Sequence, residues 1–136
     1  MTVFVDTSAL YALLDADDAN HTNAAKEWTS LIESEQSMVT TNYILVECCA
    51  LIQSRLGLEA VRSFCDAIVP ALTVDFVSLD AHRLGTAALL AASRRGLSLV
   101  DCVSFEVMRQ NGIRYAFTFD RHFKEYGFPS HPLGQG

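Results

Sequence analysis

The sequence predicts an α/β fold, with a mostly parallel, twisted sheet of four to five strands and helices on both faces, in three layers. Short apolar runs rich in β-branched and aromatic residues alternate with longer segments whose apolar residues recur at helical spacing. The hydrophobic content of 50% over 136 residues suits one globular core. No internal repeat, low-complexity tract or long linker interrupts the chain. We therefore expect residues 1–136 to form a single domain, with a loose tail after about residue 128.

The predicted strands are short apolar runs that end in polar or turn-forming residues. The run at 72–77 alternates between polar and apolar residues, which is typical of a strand at or near a sheet edge. The segment from Gly127 could add a fifth, short edge strand. The four main strands are placed at 3–6, 38–40, 72–77 and 115–119.

The predicted helices fill the intervals between these strands, and most have recognisable start and stop signals. Asn42, Asp80 and the pair Ser98 and Asp101, which resembles a capping box, are expected to begin three of them. Helix ends are expected at Gly57, Pro70, Gly96 and Asn111-Gly112. The resulting helices cover 8–15, about 20–35, 42–56, 58–68, 80–95 and about 98–110.

The chain shows no sign of export or of a membrane span. The N-terminus has no basic region and becomes polar at Asp6, and no run reaches the ~18 apolar residues of a membrane helix. The cysteines lie within apolar helical patterns and form no C-x-x-C pair, which favours reduced, buried thiols. We therefore expect a cytoplasmic protein. The four cysteines are at positions 48, 49, 65 and 102.

Four carboxylates lie at the end of an apolar run or interrupt one: Asp6, Glu47, Asp101 and Asp120. Asp6 and Asp120 follow predicted strands, whereas Glu47 and Asp101 lie in the first turns of predicted helices. Because the carboxyl ends of parallel strands meet at one edge of a sheet, we expect all four in one crevice. Clustered carboxylates repel each other, so they need divalent cations or raised pKa values to coexist.

The net charge of −6 constrains how such a protein would meet nucleic acid. It argues against broad electrostatic coating of RNA or DNA. Removing the four candidate ligands leaves twelve acids against ten Lys and Arg residues, which is nearly balanced. RNA is therefore not excluded as a substrate.

Most of these acids also have a purely structural interpretation. Asp6 and Asp120 can be helix N-caps, and Asp101 can be the capping-box partner of Ser98. Glu47 is the hardest to explain in this way, because a lone carboxylate in so apolar a helix is costly to bury. Taken together, hard oxygen ligands favour Mg²⁺ or Mn²⁺ over zinc, and metal-assisted phosphodiester hydrolysis is the chemistry that fits.

Six polar residues near these acids are candidates for holding a carboxylate, a metal-bound water or the substrate. Hydroxyl and amide groups suit hydrogen bonding to a carboxylate or a metal-bound water. Cationic or imidazole side chains suit contact with the substrate. For the four hydroxyl and amide residues, helix capping or ordinary surface hydrogen bonding is an equally good explanation. The six are Thr7, Ser8, Asn42, Ser104, Arg121 and His122.

Four segments of the chain resemble the motifs of PIN-domain ribonucleases and occur in the family's order. The resemblance covers nearly the whole chain, whose size is typical of VapC-type toxins of prokaryotic toxin–antitoxin pairs. The segments are Val3–Leu10, Thr40–Glu47, Leu97–Asp101 followed by Ser104, and Thr118–Phe123.

The resemblance implies an endoribonuclease that depends on Mg²⁺ or Mn²⁺, with Asp6, Glu47, Asp101 and Asp120 as its acidic site. It also implies a homodimer, and inhibition by a small cognate antitoxin that lies across the active-site groove. The implied substrate is a structured RNA such as tRNA.

Two other classes remain as alternatives. A non-catalytic PIN-like protein-interaction module would keep the fold without turnover. A receiver domain or a haloacid-type phosphatase would also place carboxylates around Mg²⁺. A receiver needs an acidic pair after the first strand, however, and the phosphatase needs a second aspartate where this chain has Ser8.

Overall fold

A computed structural model describes residues 1–131 of the chain. Its sheet has four strands in the order β3-β2-β1-β4, and every neighbouring pair is parallel, as predicted. Parallel pairing follows from the alternation in the sequence, because the helices between strands return the chain to the same end of the sheet. The strands are β1 (Thr2–Val5), β2 (Ser37–Thr41), β3 (Thr73–Asp75) and β4 (Tyr115–Phe117).

Within residues 1–131, seven α-helices connect and flank the strands in two packed groups. The chain steps from β1 to β2 to β3 in one direction and then returns to β4, so right-handed crossovers place the return connection on the opposite face. The first group packs around α1 and the second around α6. The helices are α1 (Thr7–Leu14), α2 (His21–Glu33), α3 (Asn42–Leu56), α4 (Leu58–Ser63), α5 (Leu79–Ala92), α6 (Leu99–Gln110) and α7 (Arg121–Glu125).

The core is built around the central strand β1. Val3, Phe4 and Val5 are fully buried. The Phe4 ring stacks on Phe123 of α7 with centroids 6.2 Å apart, and Phe123 meets Phe105 of α6 edge-on at 5.0 Å. These aromatic contacts hold α6 and α7 against the strand that leads into the candidate site.

Two of the predicted helix caps are wrong. Helix α3 is capped by Thr41, whose hydroxyl accepts a hydrogen bond from the Ile44 amide at 3.2 Å, and Asn42 is already inside the helix. Helix α5 is capped by Ser78 rather than Asp80. In both cases the true cap lies just upstream, where the backbone is still extended, which is the conformation that an N-cap requires.

Two predicted helices also differ in extent. The segment predicted as a helix over 58–68 is α-helical only in α4, and it continues as a π-helical turn at Phe64–Ile68 and a 3-10 turn at Val69–Ala71. The helix predicted over 80–95 ends at Ala92, because Ser93 adopts a left-handed conformation with φ of 52°. The capping box that begins α6 is confirmed.

Two strands are shorter than predicted, although β3 does lie at the sheet edge. The pairing of β4 with β1 ends with the hydrogen bond from the Asp6 amide to the Phe117 carbonyl at 3.1 Å. Beyond it the Phe119 amide donates to Ser8 Oγ rather than to a strand, and the chain turns toward α7. Strand β3 ends at Asp75, and in the loop that follows the Val77 amide donates to Asn42 Oδ1 at 2.8 Å.

The segment after α7 forms a single bridge to β4 rather than a strand. Ser130 pairs in parallel with Ala116. The Ala116 amide donates to the Pro129 carbonyl at 3.1 Å, and the His131 amide donates to the Ala116 carbonyl at 2.8 Å. This one bridge covers the outer edge of β4. The rest of the tail that we predicted to be loose, residues 132–136, lies outside the described residues.

All four cysteines are free, but they are not all buried. Cys48 and Cys102 are buried, Cys49 is partly exposed, and Cys65 in the π-helical turn is exposed, so the prediction of burial is wrong for Cys65. Within the part of the chain that the structure describes, no helix is both long and apolar enough to cross a membrane.

Candidate metal centre

The parallel pairing of β1 with β4 brings two of the predicted acids to one edge of the sheet. Val5 lies opposite Phe117 in the ladder. Asp6 follows β1 directly, and Asp120 follows β4 after a two-residue turn. The first turn of α6 adds Asp101 to the same region, close enough for its charge and that of Asp120 to act on Asp6.

The Asp6 carboxylate is buried and is held by hydroxyl groups from both strand ends. Ser8 Oγ and Thr118 Oγ1 each donate to Asp6 Oδ2 at 2.9 Å. The Ser8 amide also approaches Oδ2 at 3.4 Å, which makes Asp6 the N-cap of α1. All three contacts end on Oδ2, and Oδ1 takes part in none of them.

The same two hydroxyls also accept hydrogen bonds from the turn after β4. Ser8 Oγ accepts from the Phe119 amide, and Thr118 Oγ1 accepts from the Asp120 amide, both at 2.9 Å. The position of Asp120 is therefore connected to that of Asp6 through hydroxyl groups. Such outer contacts fix the orientation of a carboxylate before any ligand arrives.

The protein environment disfavours charge on two of these acids. Burial raises the pKa of Asp6 to about 7, and the charges of Asp101 and Asp120 add to the effect, while the hydroxyls of Ser8 and Thr118 oppose it. Burial also raises the pKa of Asp101, and the charge of Asp120 contributes. A nearby cation would relieve this cost in both cases.

Asp101 and Asp120 are both helix-capping residues as well as members of the cluster. The Ser98 amide donates to Asp101 Oδ2 at 3.1 Å, and the Asp101 amide donates to Ser98 Oγ at 3.0 Å, which completes the capping box. Asp120 Oδ1 accepts from the His122 amide at 2.9 Å and caps α7. The capping role does not compete with a role in the site, because it sets where each carboxylate lies.

Asp101, Asp120 and His122 form the group best placed to bind a metal ion. One potential ligand atom from each lies within 4.8 Å of the others. His122 Nδ1 is 3.0 Å from Asp120 Oδ1 and 3.6 Å from Asp101 Oδ2. Among residues 1–131, His122 is the only ion-pair partner of either aspartate, so no Arg or Lys neutralises them.

The residues present fit a divalent cation. The carboxylates of Asp6 and Asp101 are buried and repel one another. The buried Nδ1 atom of His122 has no hydrogen-bond partner in the described part of the chain. Buried polar atoms are rarely left without a partner, so this one calls for an explanation. A cation between these groups would satisfy both the unpaired nitrogen and the excess negative charge.

Glu47 is less closely tied to the cluster. It lies in the second turn of α3, where it is half-buried, and the structure assigns it no hydrogen bond or ion pair within residues 1–131. Helix α3 begins directly after β2, which neighbours β1, so Glu47 shares the edge of the sheet at which Asp6 lies. Its charge acts on the adjacent Cys48 thiol, as does that of Asp6.

The remaining candidates have different surroundings. Ser8 holds the Asp6 carboxylate, while Thr7 has a buried hydroxyl without a partner among the described residues. Ser104 donates to the carbonyl one turn back at 2.7 Å. Asn42 accepts from the backbone amide of the loop before α5 at 2.8 Å. Arg121 is exposed and lies 3.6 Å from Glu125.

Thr118 is the residue near the site that our sequence reasoning missed. It lies in the fourth PIN-like segment, but no role was predicted for it from the sequence. It lies two residues before Asp120, a spacing that places two side chains on the same side of an extended chain. That spacing at a strand end was the signal that could have identified it.

Comparison with known proteins agrees with this architecture. The sequence profile of the PIN domain matches residues 3–129, which is nearly the whole chain. The chain therefore belongs to the PIN-domain family. Its family and fold are thus those of a PIN domain rather than of a receiver or a haloacid-type phosphatase, so those two alternatives are removed.

Within this family the chain is similar to a VapC toxin. The chain is 35% identical over 127 residues to the 23S rRNA-specific endonuclease VapC20 of Mycobacterium tuberculosis, from strains CDC 1551 / Oshkosh and H37Rv, covering 93% of this chain and 95% of the relative. The crystal structure of Mycobacterium tuberculosis VapC20, described as a sarcin–ricin loop cleaving toxin, matches with a TM-score of 0.81. That match has 33% identity and covers 93% of this chain and 95% of the other.

Proposed function

We propose that this protein is a divalent-metal-dependent endoribonuclease that acts as the toxin of a toxin–antitoxin pair. The observation that carries the proposal is the convergence of Asp6, Asp101 and Asp120 at one sheet edge, where burial raises the pKa of Asp6 to about 7. Such a group of acids is costly without a counter-charge, and a divalent cation would supply it. Its PIN-domain family and its VapC relatives support the nuclease assignment.

In this proposal Asp6, Asp101 and Asp120 would hold the cation, with Glu47 completing the acidic site. Bound there, a Mg²⁺ or Mn²⁺ ion would polarise the scissile phosphate and lower the pKa of an attacking water. The protein's own contribution is orientation. The hydroxyls of Ser8 and Thr118 fix one oxygen of Asp6, and the capping contacts fix the other two aspartates.

The substrate we propose is a structured RNA, and the relatives favour a loop of 23S rRNA. VapC20 is described as a 23S rRNA-specific endonuclease and as a sarcin–ricin loop cleaving toxin, and this chain resembles it along almost its whole length. The resemblance to PIN-domain ribonucleases implied a structured RNA such as tRNA. Both RNAs present an exposed loop on a stem, and such loops are accessible to proteins. The two substrates are therefore best compared directly.

The experiment incubates the purified protein with a hairpin that carries the sarcin–ricin loop of 23S rRNA and, separately, with a tRNA pool. Each reaction contains Mg²⁺, Mn²⁺ or EDTA. The variants are Asp6→Asn and Asp101→Asn, and the control is Asp66→Asn, an exposed aspartate in the π-helical turn. We expect the wild type and the control to cleave the rRNA hairpin with metal and not with EDTA, and both site variants to lose cleavage.

Each other result has a defined meaning. Equal cleavage by Asp101→Asn and wild type would refute the site. Cleavage of tRNA in preference to the hairpin would move the substrate to the sequence-based prediction. Absence of cleavage by folded wild type on either RNA would favour a non-catalytic interaction module.

We further propose that the protein works as a homodimer in the cytoplasm and binds a cognate antitoxin. Exposed apolar side chains on α3 and α5, including Val46 and Leu90, provide surfaces for such contacts. Light scattering of the purified protein tests the dimer. Co-expression with the product of a neighbouring short open reading frame tests whether an antitoxin suppresses cleavage.

A further inference from the structure

His122 lies in the first turn of α7 and directs one ring nitrogen at the acidic cluster. Its side chain is only 12% exposed. Nδ1 lies 3.0 Å from Asp120 Oδ1 and 3.6 Å from Asp101 Oδ2. The other nitrogen, Nε2, lies 4.0 Å from the position that a Cβ would occupy on Gly96, so the ring is turned with Nδ1 toward the carboxylates.

The short distance to Asp120 does not amount to a hydrogen bond. Nδ1 is buried and has no hydrogen-bond partner in the described part of the chain, although a carboxylate oxygen is 3.0 Å away. That oxygen therefore lies out of line with the direction in which a ring N–H would point. It is already engaged by the backbone amide of His122 itself, at 2.9 Å. The nitrogen thus lies within ion-pair distance of two carboxylates without an aligned hydrogen bond to either.

A nitrogen lone pair and two carboxylates within 4.8 Å of one another have the composition of a mixed-ligand metal site. An ion pair between a protonated imidazole and the two aspartates would also offset their charge, but it would leave Nδ1 without an aligned acceptor, whereas a bound cation would satisfy that atom directly. Imidazole is a good ligand for transition-metal dications, whereas Mg²⁺ prefers an all-oxygen octahedral shell.

We propose that His122 Nδ1 is a direct ligand of the active-site cation, so that the centre prefers a transition-metal dication such as Mn²⁺ to Mg²⁺. The inference rests on the proposed metal-dependent function and deepens it. It assigns His122 to the metal, whereas the sequence analysis considered it as a substrate contact. It also predicts a preference for Mn²⁺ over Mg²⁺, which four carboxylates without a nitrogen ligand would not provide.

The experiment uses the full chain, freed of metal and titrated with Mn²⁺ or Mg²⁺ in a calorimeter. Pulsed electron paramagnetic resonance of the Mn²⁺-loaded protein then detects ¹⁴N coupling from a coordinated imidazole. The variants are His122→Gln and His122→Phe, which differ in polarity, and each is checked for folding by circular dichroism. The control is His21→Gln, because the His21 ring contacts the Ala12 carbonyl on the other group of helices. A fourth variant, Asp101→Asn, tests the acidic site itself.

We expect ¹⁴N coupling in wild type and His21→Gln and its loss in both His122 variants. We also expect the ratio of Mn²⁺ to Mg²⁺ affinity to fall about tenfold or more in those variants. Mn²⁺ binding that depends on Asp101 but shows no nitrogen coupling in wild type would overturn this inference while leaving the proposed function intact. Absence of Mn²⁺ binding, or binding unaffected by Asp101→Asn, would overturn the proposed metal centre as well.

Discussion

At the level of single residues, the protein environment differs between the carboxylates of Asp6 and Asp120. Asp6 is surrounded by donors on one oxygen and by low-dielectric core behind it, so its charge is disfavoured even though it is well oriented. Asp120 is more exposed and accepts a hydrogen bond from the backbone amide of His122. The free-energy cost of ionising Asp6 predicts a change of stability with pH. The hydroxyl groups that hold its carboxylate predict a loss of metal affinity when one of them is removed.

The first prediction concerns pH. Because the pKa of Asp6 is about 7 in the folded protein against an ordinary value of 3.8, the folded state binds this proton more tightly than the unfolded state. Its contribution to stability should therefore decline as the pH rises from about 4 to about 7. Urea unfolding in EDTA at pH 5 and pH 8 should show a lower midpoint at pH 8, and Asp6→Asn should reduce that difference. Asp66→Asn should behave as wild type, and identical profiles for Asp6→Asn and wild type would refute the assignment.

The second prediction concerns the residue that sequence reasoning missed. Thr118→Val removes the donor to Asp6 and the acceptor for the Asp120 amide. We expect Mn²⁺ affinity and RNA cleavage to fall about 10–100-fold, as is usual when a group that orients a ligand is lost. Thr118→Ser keeps the hydroxyl and should retain most of both. Full retention of Mn²⁺ affinity and cleavage in Thr118→Val, which keeps a γ-methyl group, would contradict the role of the hydroxyl.

At the level of helices and strands, the site depends on how α6 is placed. Asp101 is in the first turn of this helix, and α6 packs closely against α5 through Gly85. A Cβ added at Gly85 would lie 2.5 Å from Val103 Cγ2 and 3.1 Å from the Val103 backbone nitrogen. Glycine is therefore needed here for close approach of the two helices.

The third prediction follows from that contact. Replacing a helical glycine with alanine ordinarily stabilises a protein by up to ~1 kcal/mol. Gly85→Ala should instead destabilise this one by about 1–3 kcal/mol, because the new methyl group overlaps Val103. Denaturant unfolding measures the change. The double variant with Val103→Ala should lose less than the sum of the two single variants, and strict additivity would contradict the proposed overlap.

The fourth prediction concerns Thr41, the residue that caps α3. Thr41→Ala removes the hydroxyl that caps the helix and should cost about 1 kcal/mol of unfolding free energy. Thr41→Ser keeps the cap and serves as the control. If Thr41→Ala were as stable as Thr41→Ser, the structural assignment of the cap would be wrong.

At the level of the whole molecule, the cation should couple folding to pH. A dication that binds the folded site stabilises it by mass action, and protons compete for the same carboxylates. The fifth prediction is therefore that Mn²⁺ raises the melting temperature more at pH 8 than at pH 5.5. Differential scanning calorimetry of wild type and Asp101→Asn tests this, and an equal shift in the variant would place the binding elsewhere.

Much of the fold was predictable because its signals are local. Strand positions and the capping box of α6 follow from patterns within a few residues, and the parallel arrangement follows from the alternation of strands and helices along the chain. The errors lie at element ends. Thr41 and Asn42 both suit a helix start, and the choice between them depends on where β2 stops pairing, which no local pattern reports.

For the candidate site, the sequence determined which acids lie at the ends of strands and the starts of helices, because local apolar and polar patterning sets those positions. Only the tertiary structure decided which of them meet. The pairing of β1 with β4 joins Asp6 to Thr118, and the packing of α6 against α7 brings Asp101 near His122. These contacts join residues distant in sequence, so they arise from sheet order and helix packing.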